Sequence, residues 1–180
     1  MNLHQSVAVP VIALVGPPNS GKTTLFNTLS GQNFKTVNYP GATVEYSFSR
    51  LLPKYKLNAN IIDSPGIISL TPNSPDEKVA VDALYSIPNY GPPDIVVATV
   101  DASQISRHLF LVKQLLESNF KVVLALTMTD ILHKKGLDIS VKILSDILGC
   151  DVVVIDSRKK ETIDPLIVLI EKNLAELVLP

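Results

Sequence analysis

Gly16-Pro17-Pro18-Asn19-Ser20-Gly21-Lys22-Thr23 stands between the apolar run Val11 to Val15 and a helix-like stretch that begins at Thr24. A G-x-x-x-x-G-K-[ST] pattern between a strand and a helix is a phosphate-binding loop. Its glycines let consecutive backbone N–H groups turn inward around phosphates, Lys22 brings charge to the outer phosphates, and the Thr23 hydroxyl is placed to ligate Mg²⁺. Gly16, Pro17, Pro18, Asn19, Ser20, Gly21, Lys22, Thr23 and Thr24 are the candidate phosphate-side residues. A chance glycine-rich turn is the competing reading, and the flanking strand and helix weigh against it.

Outward from this loop, short β-rich runs alternate with amphipathic stretches, the pattern of an α/β fold. Strands are expected near Ala8–Val15, Val44–Leu52, Leu57–Asp63, Asp94–Val100, Lys121–Thr127 and Asp151–Ile155, six in all. Apolar residues recurring three and four apart predict five helices, near Thr23–Ser30, Asp76–Ser86, Ile105–Ser118, Ile139–Leu148 and Thr162–Leu177. Only Pro53-Lys54-Tyr55-Lys56 joins the second and third strands. That is too short for a parallel crossover, so the expectation is a six-stranded, mostly parallel sheet with one antiparallel edge strand, flanked by about five helices. The loops at the strand carboxyl ends then gather around the phosphate loop. Gly31 to Thr43 and Gly66 to Ser74 resist regular assignment and read as mobile functional loops.

Two further motifs fall at strand ends. Asp63-Ser64-Pro65-Gly66 matches D-x-x-G, in which the carboxylate holds Mg²⁺ through a water and the glycine N–H reaches the terminal phosphate. Alone it is also ordinary turn vocabulary; its place after a strand and after Lys22 favours the phosphate reading. Thr127-Met128-Thr129-Asp130 stands where GTPases carry N-K-x-D. The Asp130 carboxylate can accept from the N1 and N2 donors of guanine, which adenine does not offer. The plain alternative is a Thr-Asp helix cap.

Composition narrows the rest. The 180 residues suit one domain, 46% are hydrophobic and 18% charged, and the net charge of −1 gives no general pull toward nucleic acid or an anionic membrane. Apolar runs fall far short of the roughly 20 residues that cross a bilayer, and Met1 to Ser6 lack a secretory signal, so a cytoplasmic chain is expected. A lone cysteine, Cys150, excludes an internal disulfide. His4, His108 and His133 are scattered and expected at the surface, without the spacing of a metal site.

At this point the chain resembles the cytosolic G domain of FeoB-type ferrous iron transporters, within the Era- and TrmE-like GTPases. The resemblance covers nearly the whole chain. It rests on the phosphate loop continuing as Thr24-Leu25-Phe26-Asn27, on Asn38-Tyr39-Pro40-Gly41-Ala42-Thr43-Val44-Glu45, and on Asp63-Ser64-Pro65-Gly66 followed by Ser69-Leu70 and Ser74-Pro75-Asp76-Glu77. The second string is the most specific. The resemblance implies a Ras-like P-loop GTPase using GTP/GDP and Mg²⁺. Thr43, after Gly41, would be the switch I threonine that ligates Mg²⁺ in the GTP state, and the segment after Gly66 would be switch II. Asn19 would help coordinate K⁺ beside the phosphates, or only brace the loop. The candidate catalytic groups are then Lys22, Thr43, Gly66 and Asn19, with Thr23, Thr43 and Asp63 around Mg²⁺.

Several positions depart from that pattern. Ile67 follows Gly66 where Ras-like proteins place the glutamine that orients water, which implies slow intrinsic hydrolysis. Thr127 replaces the asparagine that bridges base and phosphate loop, and Met128 removes the lysine stem that covers the base. Asp156-Ser157-Arg158-Lys159-Lys160 replaces the Ser-Ala pair whose backbone N–H meets guanine O6, leaving Ser157 and Arg158 as candidates by backbone alone. The family continues into a helical domain and a membrane region, which these residues do not contain. The expectation is therefore a slow GTPase switch reporting to a ferrous iron permease on the cytoplasmic face of the bacterial inner membrane. The alternatives are a nucleotide-gated binding module with little hydrolysis, a ribosome-assembly GTPase, and a small-molecule kinase.

Overall fold

Val11–Val15 (β1) is buried at every position, as a strand covered on both faces must be, and it takes the centre of the sheet. The computed structural model describes residues 9–178, the side chains of Lys160 and Val178 excepted; Ala8 and His4 lie outside that range. After β1 come α1 (Lys22–Ser30), β2 (Lys35–Asn38), β3 (Glu45–Arg50), β4 (Asn60–Asp63), α2 (Pro75–Tyr85), β5 (Ile95–Asp101) and α3 (Ile105–Glu117). The chain continues through β6 (Val122–Thr127), α4 (Thr129–Lys134), α5 (Val141–Leu148), β7 (Asp151–Val154) and α6 (Asp164–Val178).

The sheet order is β2-β3-β4-β1-β5-β6-β7. Strands β4, β1, β5, β6 and β7 pair in parallel, and β3 runs against both of its neighbours. The chain leaves β1 toward β4 on one side and returns to β5 on the other. The end of β1 is therefore the switch point where open α/β sheets bind ligands. Alternate side chains of the strands feed two cores. Ala13, Val15, Ala98 and Leu124 pack with Leu84 of α2, Leu115 of α3 and Leu144 of α5. Ile12, Leu14, Val97 and Val123 pack with Phe26 of α1 and Leu166 of α6 on the opposite face.

The strand count differs from expectation. The antiparallel β3–β4 pair forms as expected around a short 3-10 turn at Pro53–Tyr55, but it lies one strand in from the edge. The extra strand, β2, arises inside the stretch expected to be irregular, and all four of its residues are exposed. A strand without a buried face carries no period-two apolar signal, and β3 recruits it through backbone pairing alone. Helix α4 was likewise hidden, because it is a six-residue turn begun by Met128 in the left-handed region (φ 57°). Gly66 to Ser74 stays irregular until Ser74 caps α2, accepting from Glu77 N–H at 3.1 Å while Glu77 Oε2 accepts from Asn73 N–H at 2.7 Å. This reciprocal pair is a capping box displaced by one residue. His108 is half-buried on α3 rather than at the surface.

Candidate functional site

Gly16 leaves β1 where a side chain has no room: a Cβ there would lie 2.6 Å from the Thr99 carbonyl oxygen and 2.8 Å from Ser20 Oγ. Ser20 Oγ in turn hydrogen bonds Thr99 Oγ1 at 2.6 Å, so β5 buttresses the loop from beneath. Asn19 (φ 64°) and Gly21 (φ 86°) both turn through the left-handed region, the first tolerable to asparagine and the second suited to glycine. Gly21 starts α1 with no side chain capping it, so the N-terminal N–H groups of the helix face the loop.

Lys22, Thr23 and Asp63 form one cluster. Lys22 Nζ donates to Asp63 Oδ1 at 2.6 Å, and Thr23 Oγ1 donates to Asp63 Oδ2 at 2.9 Å. The lysine and aspartate side chains are both about nine-tenths buried. Lysine has three donors, so two remain for phosphate oxygens. The threonine hydroxyl spends its proton on Asp63 and keeps lone pairs for a cation. Asp63 is delivered by β4 in register with Leu14, and Ser64 fixes it there by donating its hydroxyl to the Leu14 carbonyl at 2.7 Å.

The next residues close over the loop. A Cβ on Gly66 would meet Pro18 Cγ at 2.9 Å, and Ile67 N–H donates to Gly16 O at 3.1 Å. The Ile67 side chain is only 1% exposed and joins the α2–α3 core, so it packs into the sheet and presents nothing to a water. Gln114 of α3 holds the following segment through Oε1, which accepts from Ser69 Oγ at 3.0 Å and Leu70 N–H at 2.8 Å.

Thr127 is the hub between the two halves of the site. Its hydroxyl donates to Ser20 O at 2.9 Å and approaches Val100 O at 3.2 Å, in a side chain 4% exposed. The link to the phosphate loop expected of an asparagine is therefore made by a hydroxyl. Thr127→Val, of the same shape, should cost about 1–3 kcal/mol by stranding the Ser20 carbonyl. Thermal unfolding checks this: the valine variant should melt roughly 3–10 °C lower, and Thr127→Ser should recover most of the loss.

Beyond Thr127 lies a cleft of about 560 Å³, lined by Thr24, Met128, Asp130, Ser157 and Arg158 among others, and a second of about 500 Å³ bounded by Pro17, Asn19, Lys22, Thr23 and Gly66 adjoins it. Gly21, Thr24 and Met128 belong to both. Asp130 stands exposed in the first turn of α4, 3.8 Å from Lys134. The loop after β7 is tied to α1, whose Thr28 hydroxyl donates to Ser157 O at 2.7 Å. Ser157 Oγ is buried and has no hydrogen-bond partner among the described residues. Arg158 lines the cleft with its backbone N–H engaged, donating to Asp156 Oδ1 at 3.1 Å, and its Nε reaches the same oxygen at 2.9 Å. That guanidinium holds the Asp156 carboxyl below its usual range.

Thr43 and Gly41 are the candidates that the fold does not bring to the loop. They sit exposed in the turn between β2 and β3, closed by Tyr39 N–H donating to Val44 O at 2.9 Å. Tyr39 itself is buried, 4.7 Å from the Tyr46 ring, and burial first, then Tyr46 and Asp63, push its phenol far above its usual range. The sequence reading missed Thr99 and Gln114. A polar residue inside the apolar run Ile95 to Val100 was the available signal for Thr99; Gln114 had none, since an amide on a helix surface is ordinary.

Residues 10–170 match the family described as ferrous iron transport protein B. The chain belongs to the FeoB family. It is 39% identical over 150 residues to the Fe(2+) transporter FeoB of Legionella pneumophila, covering 81% of this chain and 19% of that protein. With FeoB of Salmonella typhimurium the identity is 38% over 166 residues, covering 90% of this chain and 21% of that one. The chain thus spans about a fifth of these FeoB proteins. Among solved structures, a GDP-bound mutant of the S. thermophilus FeoB G-domain superposes with a TM-score of 0.80 at 40% identity, covering 92% of this chain and 60% of that one. The FeoB G-domain of Methanococcus jannaschii gives 0.73 at 34%, covering 93% and 98%. The Ras-like, P-loop GTPase type of fold is shared with these FeoB domains, and the seven-stranded sheet is its form here. Among the described residues of this FeoB-family chain, no helix is long and apolar enough to cross a membrane.

Proposed function

We propose that this FeoB-family domain binds GTP and GDP with Mg²⁺, hydrolyses GTP slowly by direct attack of water, and reports the nucleotide state to a membrane permease for ferrous iron. The observation that carries the reading is the Lys22–Asp63–Thr23 cluster at the start of α1, set beside a cleft bearing Asp130. The guanine-nucleotide chemistry of the GDP-bound FeoB relative supports it.

In this reading the N-terminal N–H groups of α1 and two donors of Lys22 hold the phosphates. Thr23 and Asp63 would hold Mg²⁺, which fits a hydroxyl with free lone pairs beside a carboxylate. Mg²⁺, when bound, neutralises charge on the phosphate oxygens. Gly66 packs closely on Pro18 at the loop mouth, and in this reading its N–H donates to the terminal phosphate. Thr43 would help hold the metal only if the turn closed by Tyr39 and Val44 rearranged, which would make that turn the nucleotide-sensing switch. Ser157 and Thr127 border the base, and Asp130 reads guanine. The domain works at the cytoplasmic face of the bacterial inner membrane, attached to the permease of its parent protein.

No side chain at position 67 can hold the attacking water, since Ile67 is in the core. A cation beside Asn19 takes over part of the charge stabilisation in this reading. Phosphate release from GTP should run faster in KCl than in matched NaCl, with ATP inert. Asn19→Gly removes the amide while keeping the left-handed backbone free of strain. It should abolish the potassium dependence and spare nucleotide binding. Equal rates in both salts would remove the cation. Binding without turnover in either salt would leave a nucleotide-gated binding module, the reading that the burial of Ile67 also allows.

A further inference from the structure

The net charge of −1 hides a segregated basic face. Residues 31 to 60 carry Lys35, Arg50, Lys54 and Lys56 against a lone acidic residue, Glu45. All four cations are exposed, and among the described residues no carboxylate lies within 4.0 Å of any of them. This sets them apart from Lys78, Lys113, Lys121, Lys134, Lys142 and Lys172, each of which has an acidic partner on its own surface. Register places the face. Arg50 pairs with Asn60 at the start of β4, whereas Asp63 ends that strand at the phosphate loop, so the cations lie at the end of the sheet away from the nucleotide site.

Two clefts open there, of about 560 and 460 Å³, and share Asn33, Ser49 and Arg50. Lys56 borders the first and Lys35 the second. Their apolar parts are Leu52 and Leu57 in one, partly buried, and in the other Phe48, partly buried, with Phe34 exposed beside it. Apolar contact is therefore offered between the cations, within reach of side chains that insert there. Alongside runs β2, the outermost strand, whose outer backbone edge the sheet leaves unpaired. Lys35 and Phe48 stand opposite each other in the β2–β3 register, so an added strand would meet a cation and an aromatic together.

We propose that this face binds an extended, acidic segment of a partner polypeptide, laid along β2 with carboxylates on Lys35, Arg50 and Lys56 and apolar side chains in the clefts between them. The proposal is independent of the nucleotide reading, because none of its residues touches that site.

Fluorescence anisotropy with a short labelled peptide alternating glutamate and leucine tests it, using the folded domain at low salt. Saturable binding is expected, weakened about tenfold or more in Arg50→Glu/Lys56→Glu and lost at high salt. Arg107→Glu/Lys135→Glu, an equal charge change at two exposed sites outside the face, should leave the affinity within about twofold. Circular dichroism confirms that each variant is folded. An equal loss in Arg107→Glu/Lys135→Glu, no saturable binding, or binding that survives the Arg50 and Lys56 reversals would overturn the proposal. So would binding confined to phosphatidylglycerol vesicles, which would make the face a membrane contact.

Discussion

Lys22→Ala will lower the affinity for GTP with Mg²⁺ by about a hundredfold or more, roughly 2.7 kcal/mol, because it removes two charge-assisted contacts to phosphate in a shielded loop. The same change has a second effect that must be separated from the first. Lys22 and Asp63 are paired at 2.6 Å with their side chains about nine-tenths buried, so deleting the ammonium leaves the carboxylate with the Thr23 hydroxyl alone. Breaking such a pair costs about 3–5 kcal/mol, enough to lower the melting temperature by roughly 6–20 °C. The double variant Lys22→Ala/Asp63→Asn removes the stranded charge as well. It should regain most of the thermal stability and none of the nucleotide affinity. Calorimetric titration beside thermal unfolding reads both quantities. Affinity restored in the double variant would show that Lys22 serves the fold and not the phosphates.

Asp130→Asn should weaken GDP binding by about a hundred- to a thousandfold and bring xanthine nucleotide up to comparable strength. The carboxylate accepts two N–H groups from guanine; an amide accepts one and turns its own N–H₂ against the other, a mismatch of about 3–4 kcal/mol. Xanthine carries a carbonyl at that position, so the mismatch becomes a hydrogen bond. No stability penalty accompanies the change, since Asp130 is exposed and its ion pair with Lys134 at 3.8 Å is a surface one. Matched titrations with GDP and XDP decide the matter. A loss below about tenfold would dismiss Asp130 as the base reader.

Much of this site was readable because each motif occupies the end of a strand that the sequence also marks. Lys22 and Asp63 stand 41 positions apart, and parallel pairing of β1 with β4 sets them side by side. Periodicity found the buried strands but not β2, whose residues are all exposed and whose existence depends on β3. Thr127 was recognised as a departure, but that its hydroxyl reaches Ser20 O follows from tertiary placement and not from spacing. Arg158 shows the converse limit. Sequence says that a backbone N–H exists there; only the fold shows that the neighbouring Asp156 has already taken it.

The hydrogen bond from Thr28 to Ser157 O joins a helix to a loop 129 residues further along the chain. Lys22 begins that helix, and Thr28 stands six residues on, roughly 9 Å along the axis at about 1.5 Å per residue. Over so short a span a helix is a stiff rod. The helix that follows the phosphate-binding motif and the loop after β7 therefore hang on one strut, and neither can swing far without straining the other. If the cleft holds a nucleotide as proposed, its two ends would be loosened together rather than one after the other.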